Sequence, residues 1–77
     1  MKLSYDPRYN IAYIGLRTKT EEVETLRISD ELHIDIGPDG KLYGIELLNA
    51  NQQLKQEPGL TIVNEASGIS QQIPLGW

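Results

Sequence analysis

The chain contains no cysteine. This absence excludes a disulfide framework, a zinc site built from thiolates and a cysteine nucleophile. No apolar stretch approaches the roughly 20 residues that a bilayer-spanning helix needs. The first residues, Met1 to Tyr5, alternate polar and apolar side chains and show no apolar run of signal-peptide length. These absences predict a cytoplasmic protein that has no membrane contact.

Basic residues are few. Seven Lys and Arg stand against eleven Asp and Glu, and the formal net charge at pH 7 is -4. Proteins that bind nucleic acid neutralise phosphates and usually present a basic face, and we find no such face in the sequence. Nucleic acid is therefore not an expected partner. A length of 77 residues with 39% hydrophobic and 23% charged side chains is typical of one small folded domain.

The first third of the chain predicts three strands. Leu3 and Tyr5 alternate with polar residues, and Asp6-Pro7 ends that strand because proline removes a donor. Residues Ile11 to Leu16 are apolar on both faces, which predicts a central strand. Residues Glu22 to Ser29 form a third strand in which Val23 is out of phase, and a bulge near Glu24 would reconcile the pattern.

A β-hairpin is the clearest local signal. Two apolar segments flank Gly37-Pro38-Asp39-Gly40. A three-residue loop with Gly40 in the left-handed region pairs Gly37 with Lys41, whereas a two-residue Asp39-Gly40 loop pairs Pro38 with Lys41. We favour the two-residue loop because it keeps apolar side chains on one face. Its register sets three apolar pairs side by side: Ile36 with Tyr43, Ile34 with Ile45 and Leu32 with Leu47.

The C-terminal third changes in character. Residues 49–56 are rich in amides and predict a helical turn or two, which Pro58-Gly59 ends. Leu60 to Val63 predicts one more strand. The sequence thus predicts a mainly β fold, a small antiparallel β-meander of about five strands with a short helical turn; α+β is the second choice. Residues 1–50 form the β-meander domain, and residues 51–77 form an extension that packs on the sheet or docks on a partner.

Three side chains on the predicted hairpin are candidate ligands. His33 faces Glu46 across the hairpin, and Asp35 lies two residues along on the same face. One histidine and two carboxylates suit a weak divalent site, but opposed His and Glu are also an ordinary cross-strand pair. We favour the ordinary pair and predict no metal site. Candidate partner contacts in the extension are Leu60, Ile62 and Trp77.

The inventory for catalysis is thin. The chain has one histidine, four serines and no Gly-x-Ser-x-Gly motif, so no catalytic triad can be proposed. A sheet of this size rarely supplies the concave, water-excluding pocket that acid–base chemistry requires. Tyr5, Tyr13 and Tyr43 are expected in the core with their hydroxyls at its rim. We predict that the protein is not an enzyme and holds no cofactor.

Several segments occur in an order that resembles the small bacterial family called domain of unknown function 2283. They are Lys2-Leu3-Ser4-Tyr5-Asp6-Pro7, Asn10-Ile11-Ala12-Tyr13-Ile14, Ile34-Asp35 and Gly44-Ile45-Glu46-Leu47-Leu48-Asn49-Ala50. The resemblance spans residues 2 to 50 and implies a compact β-meander without an established activity. Some genes of the family neighbour those of toxin-like proteins. Residues from Asn51 onward depart from the family pattern.

Two functions follow as hypotheses. The first is a non-enzymatic protein–protein interaction module that binds through a sheet edge or the segment from Leu60 to Trp77, either as an antitoxin-like partner or as a homodimer. The second is a small ligand-binding or divalent-metal-binding protein that uses His33, Asp35 and Glu46.

Overall fold

The computed structural model describes residues 1–18, 22–54 and 59–76. Over these residues the chain is mainly β, which confirms the predicted fold class. The elements in chain order are β1 (Lys2–Asp6), β2 (Ile11–Gly15), β3 (Glu24–Ser29), β4 (Leu32–Ile36), β5 (Leu42–Leu48), α1 (Ala50–Gln53), β6 (Leu60–Val63) and β7 (Ser70–Ile73).

Strands β1 to β5 form one antiparallel sheet in the order β1-β2-β5-β4-β3. Consecutive strands pair within β1–β2 and within β3–β4–β5, as in a meander. The two units join through β2 and β5, which places β5 in the middle of the sheet. Strand β2 is internal, since it pairs on both sides, and this agrees with its apolar residues on both faces.

The β4–β5 hairpin combines features of both loops that the sequence allows. Ile34 pairs with Ile45, as predicted. The two-residue loop is wrong, because the Gly37 N–H donates to the Lys41 carbonyl at 2.9 Å and Gly40 has φ 79°, which is the three-residue loop. A bulge then sets Ile36 opposite Leu42 instead of Tyr43. The bulge adds one residue to β5, which compensates for the one-position difference between the two registers. The apolar side chains of both strands therefore remain on the same side of the sheet.

The bulge in β3 lies elsewhere than the sequence predicts. The ladder between β3 and β4 shifts between Arg27 and Ser29, at Ile28, and not near Glu24. Strand β3 begins at Glu24, after Val23, so the phase of Val23 needs no correction. The side chain of Ile28 is 56% exposed. The bulge turns this apolar residue of the edge strand towards solvent.

One face of the sheet is apolar, and we call it the apolar face. Its central row crosses all five strands through residues that pair in register, and a second row runs beside it. These rows are Leu3, Ile14, Ile45, Ile34 and Leu26, then Tyr5, Ala12, Leu47 and Leu32. Most of these side chains are only half-buried, and Ala12 alone among them is fully covered. Among the described residues no large side chain is fully buried, so the described part of the chain forms no layer that covers this face.

Helix α1 begins at the end of the sheet, where asparagines hold the chain. The Asn10 backbone carbonyl accepts the Ala50 N–H at 3.0 Å. Asn10 Oδ1 accepts the Asn51 N–H at 2.9 Å and the Tyr5 hydroxyl at 3.1 Å. Asn10 and Asn49 both have positive φ, 55° and 52°, a conformation that asparagine tolerates better than most residues. These bonds secure Ala50, which is fully buried.

Strands β6 and β7 form a separate two-stranded sheet, the C-terminal hairpin. Leu60 pairs with Ile73, and Ile62 pairs with Gln71. The Asn64 N–H bonds the Ile69 carbonyl at 2.9 Å and extends the ladder. The predicted strand at Leu60–Val63 is confirmed, whereas β7 was not predicted. The packing of residues 51–77 on the sheet or on a partner stays a prediction.

Candidate functional site

The side of the sheet opposite the apolar face carries polar side chains, and we call it the polar face. His33 pairs with Glu46 across β4 and β5, as the favoured register predicts. His33 Nδ1 lies 3.1 Å from Glu46 Oε1. The side chains are 24% and 37% exposed. This exposure and the single contact are those of a cross-strand polar pair near solvent.

Asp35 lies on the same face and has a different environment. It is the one charged residue among the described residues that is buried, with 7% of its surface exposed. Its carboxylate accepts the Tyr13 hydroxyl at 2.7 Å and the Thr25 hydroxyl at 2.6 Å. Hydrogen bonds to an ionised acceptor are about twice as strong as neutral ones. Asp35 therefore ties the β2 and β3 side chains to β4.

Gly44 makes room for this network. A Cβ atom built at Gly44 would lie 1.9 Å from the Tyr13 hydroxyl oxygen and 2.3 Å from Tyr13 Cζ. The Tyr13 side chain therefore extends from β2 directly over Gly44 of β5, and its hydroxyl reaches Asp35 on β4. The expectation that Tyr13 packs in the core is wrong for this reason, because the ring covers polar-face backbone. Its alternation with the apolar Ile14 is the sequence signal that assigns Tyr13 to this face.

These residues do not make a metal-ligand set. Across residues 1–18, 22–54 and 59–76, no group of three or more His, Cys, Asp or Glu side chains could hold a metal ion. His33 and Glu46 contact each other, whereas the Asp35 oxygens accept hydroxyls from β2 and β3. The three predicted ligands share one face but belong to two separate contacts.

A shallow depression of about 420 Å³ opens at the edge of the sheet beside Tyr13. None of His33, Asp35 and Glu46 lines it. Its wall includes Arg17, whose guanidinium lies 3.6 Å from the Asp39 carboxylate and 5.3 Å from the centre of the Tyr43 ring. The remaining lining residues are Met1, Lys2, Ser4, Gly15, Leu16 and Thr18. An open hollow of this kind does not exclude water from a reacting group.

The β1–β2 turn holds the clearest electrostatic perturbation. Both Asp6 oxygens bind the Arg8 guanidinium, at 3.1 Å from Nε and 2.9 Å from Nη2. The Arg8 N–H also donates to Asp6 Oδ1 at 2.9 Å. The Arg8 side-chain hydrogen bond is the main cause that lowers the pKa of Asp6 below its ordinary value. Asp6 closes the turn, as the Asp6-Pro7 pair predicts.

Two apolar surfaces are candidate contact sites. The apolar face is one. The other, which we call the hairpin face, consists of alternate residues of the C-terminal hairpin: Leu60 (40% exposed), Ile62 (47%), Ile69 (72%) and Ile73 (40%). The predicted contacts Leu60 and Ile62 lie on this face, while Trp77 lies outside the described residues. Sequence reasoning did not assign Ile69 and Ile73 to it, although both alternate with the polar Ser70 and Gln72 at the strand period of two.

Comparison with known proteins identifies one family. A family model described as "Protein of unknown function (DUF2283)" matches residues 2–51. No curated protein and no solved structure matches the chain. The matched range covers the five-stranded sheet and ends at Asn51, whose side chain and N–H both bind Asn10. The C-terminal hairpin lies beyond the match.

No helix in the described part of the chain is long and apolar enough to cross a membrane.

Proposed function

The chain belongs to the DUF2283 family of proteins of unknown function, and from its exposed apolar surfaces we propose that it is a non-enzymatic protein–protein interaction module. The observation that carries this proposal is the hairpin face, whose apolar side chains Leu60, Ile62, Ile69 and Ile73 are 40–72% exposed. The apolar face adds to it, because its row from Leu3 to Leu26 crosses the whole sheet and no described residue forms a packed layer above it. A second protein surface would supply that layer.

Energetics support a protein partner. Burial of apolar surface stabilises by about 25 cal/mol per Å², and a chain of this size has little core to spare. Among the described residues, the buried hydrophobic ones are Ala12, Tyr43 and Ala50. Large contiguous apolar patches that remain accessible mark interaction sites in small proteins. A partner that covers the apolar face would add burial that the isolated chain lacks.

The nature of the surface restricts the class of partner. The net charge of -4 disfavours nucleic acid, whose binding depends on phosphate neutralisation. The apolar face instead suits a protein surface of similar character, and the proposal includes a cytoplasmic location. A ligand or metal at His33, Asp35 and Glu46 has less support, because the Asp35 oxygens are occupied by the hydroxyls of Tyr13 and Thr25.

An affinity pull-down from lysate of the host tests this proposal. The tagged wild-type chain is compared with Ile62→Asp on the hairpin face and with Thr61→Asp, the adjacent position on the opposite side of the same strand. Both residues are exposed, so neither variant should unfold the sheet. We expect the wild type and Thr61→Asp to retain a protein at near-equal amount, and Ile62→Asp to lose it.

The proposal would be contradicted if both variants retained the same amount of protein. It would also be contradicted if the wild type retained neither another protein nor a second copy of the chain. A thermal-shift screen with divalent ions tests the alternative function. A rise in melting temperature that His33→Ala abolishes would favour a metal site.

A further inference from the structure

The hairpin face and the apolar face present the same chemistry on one chain. Leu60, Ile62, Ile69 and Ile73 lie on one side of the C-terminal hairpin, and Thr61, Val63, Ser70 and Gln72 lie on the other. All residues of β6 and β7 are exposed. An isolated two-stranded hairpin is marginally stable in water. The hairpin therefore needs a surface to cover its apolar side, and the sheet needs one as well.

The areas of the apolar face and the hairpin face indicate that one interface includes both surfaces. With strands about 4.8 Å apart and about 3.3 Å per residue, the five-stranded face projects to about 400 Å² and the hairpin to about 130 Å². A specific interface buries about 500 Å² or more on each partner. The sheet face alone falls short of this area, whereas the two surfaces together reach it.

The distribution of charge allows two copies to meet through these surfaces. Each chain carries a net charge of -4, so like-charge repulsion opposes self-association in general. Within the five strands, however, Asp35 and Glu46 lie on the polar face, and Glu24 is the one charged residue on the apolar side, at the edge strand. Copies that meet through their apolar faces keep most of their charges on the outer sides of the assembly.

From these observations we propose that the partner is a second copy of this chain. The apolar sheet faces of two copies pack on each other, and the hairpin face of each copy extends that contact over its partner. This inference rests on the proposed function and names the partner. The product is a symmetric two-layer sandwich in which rows such as Ile14, Ile45 and Ile34 become the shared core.

Sedimentation equilibrium of the full chain at 1 to 100 μM tests the inference. One chain has a mass of 8.7 kDa, so the dimer has twice that mass. Ile69→Asp places a charge on the hairpin face, and its neighbour Ser70→Asp places the same charge on the opposite side. We expect the wild type and Ser70→Asp to be dimeric, and Ile69→Asp to dissociate with a Kd raised at least about tenfold.

A second pair of variants tests the sheet side. Leu26→Asp changes the apolar face at the edge strand, and Arg27→Asp changes the polar face one residue along. Circular dichroism reports whether each variant keeps its strands. We expect folded Leu26→Asp to be monomeric and Arg27→Asp to be dimeric. If Leu26→Asp fails to fold, the Ile69 and Ser70 pair decides the question.

A monomeric wild type across this range would overturn the inference, and so would a dimer that Ile69→Asp leaves intact. These results separate the inference from the proposed function. A monomer that still retains a different protein in the pull-down contradicts the homodimer alone. A chain that retains neither itself nor another protein contradicts both.

Discussion

Gly44→Ala tests the polar-face network, because the added methyl group would occupy the place of the Tyr13 hydroxyl. The built Cβ lies 1.9 Å from that oxygen and 2.9 Å from Tyr13 Cε1. The far end of the ring must swing away, which breaks its 2.7 Å bond to Asp35. A hydrogen bond to a charged group contributes about 1.5–3 kcal/mol. Alanine regains about 0.5–1 kcal/mol over glycine in a strand, so the net loss is about 1–2 kcal/mol.

Gly15→Ala is the matched control. Gly15 pairs with Gly44 across β2 and β5, and a Cβ there would meet the same Tyr13 ring at an ordinary 3.5 Å. We expect this variant to be as stable as the wild type or slightly more stable. Thermal unfolding should show a melting temperature about 5–15 °C lower for Gly44→Ala, since 1 kcal/mol corresponds to about 4–8 °C in a domain of this size.

A double-mutant cycle with Tyr13→Ala completes the test. Once the ring is absent, Gly44→Ala should no longer destabilise the chain, because the added methyl group then meets no ring. An equal effect of Gly44→Ala with and without Tyr13, or equal stability of Gly44→Ala and Gly15→Ala, would refute the reasoning.

Three further predictions concern the turns. Arg8→Ala should raise the pKa of Asp6 towards its ordinary value, which an NMR titration measures. Because the pKa of Asp6 is lowered in the folded chain, the stability that Asp6 contributes is present at neutral pH and is lost as the pH falls through the lowered pKa. Asn10→Ala removes four side-chain hydrogen bonds and strains a positive φ, so urea unfolding should show a loss of about 3 kcal/mol, with about 1 kcal/mol recovered in Asn10→Gly. Gly40→Ala should cost about 1 kcal/mol in the same assay because of its φ of 79°.

Local patterns predicted the strands well. Alternation and turn residues located β1, β4 and β5, a short apolar segment after Gly59 located β6, and an apolar run on both faces located β2. The residues Ile34 and Ile45 were correctly paired, since a one-position slip would have sent them to the polar side. The same apolar register nevertheless led to the wrong loop, because without a bulge it requires the two-residue Asp39-Gly40 turn. A bulge near Leu42 satisfies both the three-residue loop and the apolar register, and no local pattern marks that bulge.

Long-range pairing was harder to predict. The join between β2 and β5 brings Tyr13 opposite Glu46 and over Gly44. Without that pairing, Tyr13 is one aromatic residue in an apolar strand, and a core position is the natural expectation. The Asp35 contacts with Tyr13 and Thr25 depend on the same strand order, so sequence reasoning named Asp35 as a candidate ligand but predicted neither its burial nor these partners.

The candidate contact surfaces were predicted in part. Leu60 and Ile62 were recognised because they alternate within an uncharged segment. Ile69 and Ile73 flank polar Ser70, Gln71 and Gln72, and their membership of the hairpin face appears only once β7 pairs with β6. Strand periodicity shows which side chains share a face, but it does not show whether a second layer packs on that face. The sequence therefore did not predict that the described part of the chain leaves the apolar face uncovered.

Site-specific photo-cross-linking in intact host cells tests the central claim most directly. A photoreactive residue is placed at Ile69, on the hairpin face, or at Ser70, on the opposite side of the hairpin. The interaction module predicts one discrete protein adduct from position 69 and none from position 70, and an adduct at twice the chain mass identifies a second copy. No adduct from either position, or the same adducts from both, would contradict the claim that this surface binds a protein.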